Sequence, residues 1–185
     1  YMDIVRIGVI GVGNMGGNHV GYLAKGDIPG AKLTALCDTN AEQLARMKAL
    51  AGEYVATFEE ADAMLHSDQI DAVIVATPHY DHPPLAIKAL ERCLHVMIEK
   101  PAGVYTRQVR EMNEAAEKSD RVFGLMFNQR TVGQHQKLEE LVGSGELGEL
   151  RRTNYIITSW FRAQSYYDSG GWRATWAGEG GGVLA

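Results

Sequence analysis

The chain has 185 residues, 45% of them hydrophobic and 22% charged, with 18 Lys+Arg against 23 Asp+Glu for a net charge of −5. That balance excludes wholesale disorder and does not favour nucleic acid or an anionic membrane surface as a partner. No apolar run approaches the ~20 residues a membrane helix needs, and the start, Tyr1-Met2-Asp3-Ile4, has no basic segment leading into an apolar stretch. Two cysteines, Cys37 and Cys93, cannot make a disulfide framework, so a reduced, cytoplasmic setting is expected. Glycine is the outlier: 21 residues, above the usual ~7%, and they come in clusters.

In chain order, Val5 to Ile10 is a short β-branched run that reads as a buried parallel strand. Gly11-Val12-Gly13-Asn14-Met15-Gly16 follows at once, and a helical pattern runs from Asn14 to Ala24. Lys32 to Cys37 reads as a second strand. Asn40 is placed to N-cap a helix through Ala51, with Leu44, Met47 and Ala51 on one face. Tyr54 to Ala56 reads as a brief strand and Phe58 to Leu65 as a short helix. Ala72 to Ala76 is the most apolar strand. Pro83 suits the first turn of a helix ending near Arg92, with Asp81 as its cap. His95 to Ile98 is a strand, Thr106 to Lys118 a helix, and Arg121 to Phe127 another strand. This alternation predicts the α/β class, with βαβ units wound into a parallel, doubly wound sheet over residues 1–127. After Phe127 the rhythm changes. Val132 to Val142 reads as a helix, Leu150 to Phe161 as a long β-rich segment, and the chain from Gly170 is rich in Gly and Trp. Residues 128–185 read as the beginning of a second domain.

Gly11, Gly13 and Gly16 form a G-x-G-x-x-G pattern between a predicted strand and a predicted helix, the setting that dinucleotide binding requires. Gly11 allows the tight turn, Gly13 lets backbone approach a pyrophosphate, and Gly16 lets helix and strand pack closely. The helix start supplies free N–H groups and partial positive charge. Asp38, 22 residues after Gly16, ends the second strand, where a carboxylate accepts from a ribose 2′-OH and repels a 2′-phosphate. Neither Thr39 nor Asn40 is an Arg that would clamp that phosphate, so NAD is favoured over NADP. The bland rival is a structural glycine turn with a helix-capping Asp.

Ligands of open α/β sheets sit beyond the carboxyl ends of the strands. Three such ends are polar here: Thr77-Pro78-His79-Tyr80-Asp81-His82, Glu99-Lys100-Pro101 and Asn128-Gln129-Arg130. Lys100 in a dry cleft beside a nicotinamide is usable as acid or base; as a surface group it would pair with Glu99, and both readings stand. His79, Asp81 and His82 are spaced too tightly for a metal, and no metal site is expected. His19 reads as packed or solvent-facing, Cys37 and Cys93 as small apolar residues, and Trp160, Trp172 and Trp176 as core or interface.

Taken together, Gly11-x-Gly13-x-x-Gly16, Asp38, Ala76-Thr77-Pro78-x-x-x-His82, Glu99-Lys100-Pro101, Leu147-Gly148-Glu149, Gly170-Gly171-Trp172-Arg173 and Gly180-Gly181-Gly182-Val183-Leu184 resemble the Gfo/Idh/MocA oxidoreductases, the relatives of glucose–fructose oxidoreductase and inositol dehydrogenase. The resemblance implies a Rossmann domain followed by an α/β substrate-binding and oligomerisation domain with an open antiparallel sheet. It implies that Gly11, Gly13, Asn14, Met15 and Gly16 hold the pyrophosphate and Asp38 the adenosine ribose. Thr77, Pro78 and His82 would line the cofactor cleft, and Glu99 would contact the nicotinamide-side ribose. Lys100 would bind the substrate hydroxyl, Pro101 would shape the turn through a cis bond, and Trp172 and Arg173 would reach the cofactor. The family carries an Asp and then a His after the Gly-Gly-x-Leu run. The chain ends at Ala185 before either, so a piece of a longer protein, inactive alone, is expected.

The expected function is that of an NAD-dependent dehydrogenase passing hydride between the nicotinamide and a sugar- or polyol-like alcohol. The expected assembly is a homo-oligomer formed through the second domain. The rivals are a non-catalytic NAD-binding module and an NAD-assisted glycoside-cleaving enzyme on the same fold.

Overall fold

A computed structural model describes residues 4–156, 158, 161–168, 171–172 and 175–180. Two compact units are present: Tyr1–Met126 together with Ala174–Ala185, and Phe127–Arg173.

The first unit is built on six parallel strands, β1 (Val5–Ile10), β2 (Ala31–Cys37), β3 (Ala56–Phe58), β4 (Ala72–Val75), β5 (His95–Ile98) and β6 (Phe123–Leu125), in the order β3-β2-β1-β4-β5-β6. Between them run α1 (Asn14–Lys25), α2 (Ala41–Ala51), α3 (Ala61–Leu65), α4 (His82–Glu91) and α5 (Thr106–Lys118). The doubly wound α/β architecture expected from the alternating pattern is therefore what forms. Because side chains alternate across a strand, each strand feeds two cores. Val9, Leu33 and Leu36 join Val20, Leu23, Leu44 and Met47 on one face, where α1 and α2 lie. Ile10, Ala35, Cys37, Val73, Val75 and Ile98 join Met64, Ala86, Leu90 and Met112 on the other.

The register positions everything that follows. Ile10 pairs with Cys37 on one side and Val75 on the other; Val75 pairs with Ile98, and Ile98 with Leu125. The strands therefore end level, and the next residues, Gly11, Asp38, Ala76, Glu99 and Met126, share one edge of the sheet.

Several boundaries differ from the sequence reading. The third strand is Ala56–Phe58, not Tyr54–Ala56, because its pairing partner is the end of β2, with Phe58 opposite Cys37. That draws Phe58 out of the following helix, which starts at Ala61. The sixth strand shortens to Phe123–Leu125, an edge strand with β5 as its neighbour. Asp81 occupies the cap position of α4 but makes no side-chain cap bond. Pro83 and Pro84 follow, and a proline has no N–H for a cap to satisfy.

The second unit contains α6 (Gly133–Gly143) and α7 (Gln164–Asp168), neither with a buried residue. The long strand expected over Leu150–Phe161 is not found: 150–156, 158 and 161 have no regular structure, and the other positions lie outside the described residues. A strand exists through hydrogen bonds to a neighbouring strand, and a β-prone sequence alone does not supply one. A last short helix, α8 (Trp176–Glu179), belongs to the first unit. Among the described residues no helix is long and apolar enough to cross a membrane.

Candidate functional site

The glycine loop joins β1 to α1, and its three glycines are required for different reasons. Gly11 has φ +81°, and its N–H donates to Cys37 O at 2.8 Å. A Cβ there would lie 2.8 Å from the backbone of Ala76 and Thr77. At Gly16 a Cβ would run into the carbonyl oxygen of Gly11. Both positions are thus closed by the protein's own backbone. Gly13 is different: its φ of −67° suits any residue, and nothing lies within 4 Å of a Cβ placed there. Open space at the start of α1 is the room a pyrophosphate needs. The helix offers donors to it, since Gly13 supplies no side-chain cap and the first turn, from Asn14 and Met15 on, carries no acid.

Asp38 follows β2. Its Oδ2 accepts from Val12 N at 2.8 Å and its Oδ1 from Asn40 N at 2.9 Å, so the carboxylate braces the glycine loop as well as facing the sheet edge. Each oxygen keeps a further lone pair for a ribose hydroxyl. Asn40 caps α2 as expected, accepting from Gln43 N at 3.0 Å. Burial, with Asp38 and Glu60 adding like-sign charge, pushes the neighbouring Cys37 thiol up to about 12. Cys93 is exposed. One thiol per chain is therefore expected to react with a disulfide reagent at pH 8 in the native protein, and the second only after unfolding. Two native thiols would show that the end of β2 opens.

Beyond β4, Thr77 Oγ1 is buried without a hydrogen-bond partner among the described residues, a group that a ligand in the cleft would satisfy. Pro78 is exposed beside it. His82, read from sequence as lining the cleft, is fully buried. Its Nδ1 lies 2.7 Å from Pro101 O and its Nε2 2.9 Å from Thr77 O. The ring ties the loops after β4 and β5 together. His79 is nearly buried, and its Nδ1 lies 3.2 Å from Glu179 O. Burial holds its pKa below the usual histidine range, with nearby His82 and Lys100 acting in the same direction, against the Glu179 carbonyl.

Beyond β5, Glu99 is 5% exposed, and its N–H donates to Val75 O at 2.8 Å. Glu99 Oε1 lies 2.8 Å from His19 Nε2, and Oε2 accepts from Lys100 N at 3.2 Å. Burial alone would push this carboxyl up. The His19 hydrogen bond and charge, helped by Lys100, outweigh it and hold the group below the usual carboxylate range. The side-chain partner of Glu99 is thus His19 and not Lys100. The Lys100 side chain is exposed and makes no ion pair among the described residues. The Lys100–Pro101 peptide bond is cis.

His19 is the site residue that sequence reasoning missed. Its spacing of three from Gly16 was a usable signal, because residues three apart share a helix face and Gly16 is buried. Trp172 is half-buried in the second unit, and Asn128, Gln129 and Arg130 form a 3-10 turn there. Arg173 lies outside the described residues.

Known proteins are similar to this chain. The Gfo/Idh/MocA family profile, an oxidoreductase family with an NAD-binding Rossmann fold, matches residues 5–127. An inositol 2-dehydrogenase of Rubrobacter xylanophilus is 32% identical over 145 residues, covering 78% of this chain and 41% of that protein. A glycosyl hydrolase family 109 protein of Saccharopolyspora erythraea is 30% identical over 187 residues, covering 94% of this chain and 40% of that protein. The crystal structure of the WlbA dehydrogenase from Bordetella pertussis, in complex with NADH and UDP-GlcNAcA, matches with a TM-score of 0.83 at 29% identity. It covers 96% of this chain and 50% of that one. The chain spans about two fifths of the length of the curated relatives it matches. With a matching profile over the whole parallel sheet and a glycine loop open at Gly13, the chain belongs to the Gfo/Idh/MocA family of oxidoreductases, with an NAD-binding Rossmann fold.

Proposed function

We propose that this protein binds NAD(H) in preference to NADP(H) and is a dehydrogenase of a sugar- or polyol-like alcohol. The observation that carries the reading is the open space over Gly13 at the uncapped start of α1, with Asp38 at the end of the adjacent strand β2. Asn14 and Met15 would present their N–H groups to the pyrophosphate, Asp38 would accept from the adenosine ribose, and Thr77 Oγ1 would find its partner in the cofactor. Bound NAD supplies the two-electron acceptor, taking hydride from the carbinol carbon. Lys100 is the reacting end of the chain's own contribution. Its exposed ammonium, beyond β5, would donate to the substrate oxygen and stabilise the negative charge that develops there as the hydroxyl proton passes to solvent water. Residues 128–185 begin the substrate-binding domain in this reading, and a homo-oligomer would form through it. The setting is cytoplasmic.

Binding tests the NAD(H) part of this reading. NAD should bind more tightly than NADP, and Asp38→Asn is preferred to Asp38→Ala because it keeps an acceptor for the braced loop. With hydrogen bonds to charged groups worth ~1.5–3 kcal/mol, Asp38→Asn should weaken NAD by about 10- to 100-fold and narrow the gap to NADP. Equal wild-type affinities would remove Asp38 from the site.

The glycosyl hydrolase family 109 relative, matched over 94% of the chain, supports a second reading: NAD-assisted cleavage of a glycoside. Product analysis decides between them. Release of free sugar from a glycoside with no net change in NADH supports cleavage, and stoichiometric NADH formation from a free polyol or sugar supports the dehydrogenase.

A further inference from the structure

The strand order reverses between β1 and β4, and a dinucleotide crosses an open sheet at such a point. With Asp38 at the end of β2 on one side, the nicotinamide half falls on the side of β4 and β5. Glu99, the residue after β5, therefore lies beneath that half. It is a buried carboxylate, and it is gripped at both oxygens: Oε1 by His19 at 2.8 Å, Oε2 by Lys100 N at 3.2 Å. The side chains of His19 and Glu99 are only 13% and 6% exposed.

His19 comes from α1, the helix whose first turn faces the pyrophosphate space. It stands five residues after Asn14, ~7.5 Å further along the axis at ~1.5 Å per residue. The pair joins the glycine-loop helix to the end of β5 across 80 residues of sequence. A buried carboxylate with one partner removed either takes up a proton or swings towards water. In either case it ceases to be a fixed, charged acceptor for ribose hydroxyls. With His19 in place, each Glu99 oxygen retains a lone pair that no group among the described residues uses.

We propose that His19 is the positioning residue of the nicotinamide half of the site. By holding Oε1 it sets Glu99 as the acceptor for the nicotinamide-side ribose, so that α1 serves both halves of the cofactor. The assignment rests on the NAD(H) reading above.

The experiment uses the intact chain and two probes, NADH and ADP. ADP carries the adenosine and phosphates but no nicotinamide riboside. His19→Ala is expected to weaken NADH by about tenfold or more while leaving ADP within about twofold of wild type. His19→Gln, which keeps an N–H donor on a neutral side chain, should recover most of the loss. In a Glu99→Gln background, His19→Ala should cost much less than in wild type, because the two residues act as one unit. Equal weakening of NADH and ADP would show that His19 only supports α1 and would overturn the assignment. Unchanged NADH affinity in His19→Ala would overturn it too. Should His19→Ala fail to fold, His19→Gln and Glu99→Gln carry the same comparison: loss confined to NADH in Glu99→Gln supports the pair, and parallel loss of ADP rejects it. A wild-type chain that binds neither probe, or ADP alone, would instead remove the NAD(H) reading and this inference with it.

Discussion

Gly13→Val is expected to abolish NAD(H) binding while leaving the protein folded. Nothing lies within 4 Å of a Cβ at Gly13, so packing does not resist a side chain there. The cost to the fold is a poorer helix start, below ~2 kcal/mol. The branched side chain would instead fill the pyrophosphate space and mask the first N–H groups of α1. A loss of about 100-fold or more in affinity is expected, ~2.8 kcal/mol at ~1.4 kcal/mol per decade. Calorimetric titration with NADH measures it, and far-ultraviolet circular dichroism checks the fold. Gly16→Ala is the contrasting control, since its Cβ collides with Gly11 O. It should lower stability by ~1–3 kcal/mol or more, as overpacking does, and lose binding only through that route. Full NADH affinity in folded Gly13→Val would move the cofactor away from the loop.

In a full-length enzyme, Lys100→Met is expected to leave NAD(H) affinity nearly unchanged and to lower kcat of the proposed dehydrogenase by a factor on the order of 10²–10⁴. Methionine keeps an apolar stem of similar reach and removes the charge and the donors. The structure sharpens the expectation, because the Lys100 side chain makes no ion pair with Glu99. Its ammonium has no ion pair among the described residues whose loss could disturb the fold. Glu99 is bound through the Lys100 backbone N–H, which the substitution preserves. The effect should therefore fall on the chemical step, with kcat and kcat/KM declining together, the pattern of a lost transition-state interaction. Steady-state kinetics beside an NADH titration test it. Turnover near wild type would reduce Lys100 to a solvated surface charge and leave the oxygen-binding role to another residue.

Much of the site's skeleton was legible without coordinates. Gly16 is dictated by the carbonyl of Gly11 in the same strand–helix turn, and Asn40 caps its own helix, so both follow from short-range spacing. The alternation of apolar runs with helical periods is local too, because each element must present one apolar face or two to a core. From it came the parallel sheet and the strand ends that carry Asp38, Thr77 and Glu99.

What the tertiary structure alone decided are the partners of those residues. Pairing of Glu99 with the adjacent Lys100 was one of two readings open in the sequence, yet Glu99 meets His19, 80 positions away, because level strand ends bring the residue after β5 within reach of α1. His82 looked like a cleft residue, yet its ring is fully buried between the carbonyls of Thr77 and Pro101, two loops brought together by the pairing of β4 with β5. Leu150–Phe161 has a strand's composition, but its described residues form no strand. The physical reason is common to all three. A turn or a helix cap closes within one short segment, so composition and spacing determine it. A buried carboxylate, a bridging imidazole or a strand is completed by atoms from distant segments, and their choice is settled only when the sheet registers.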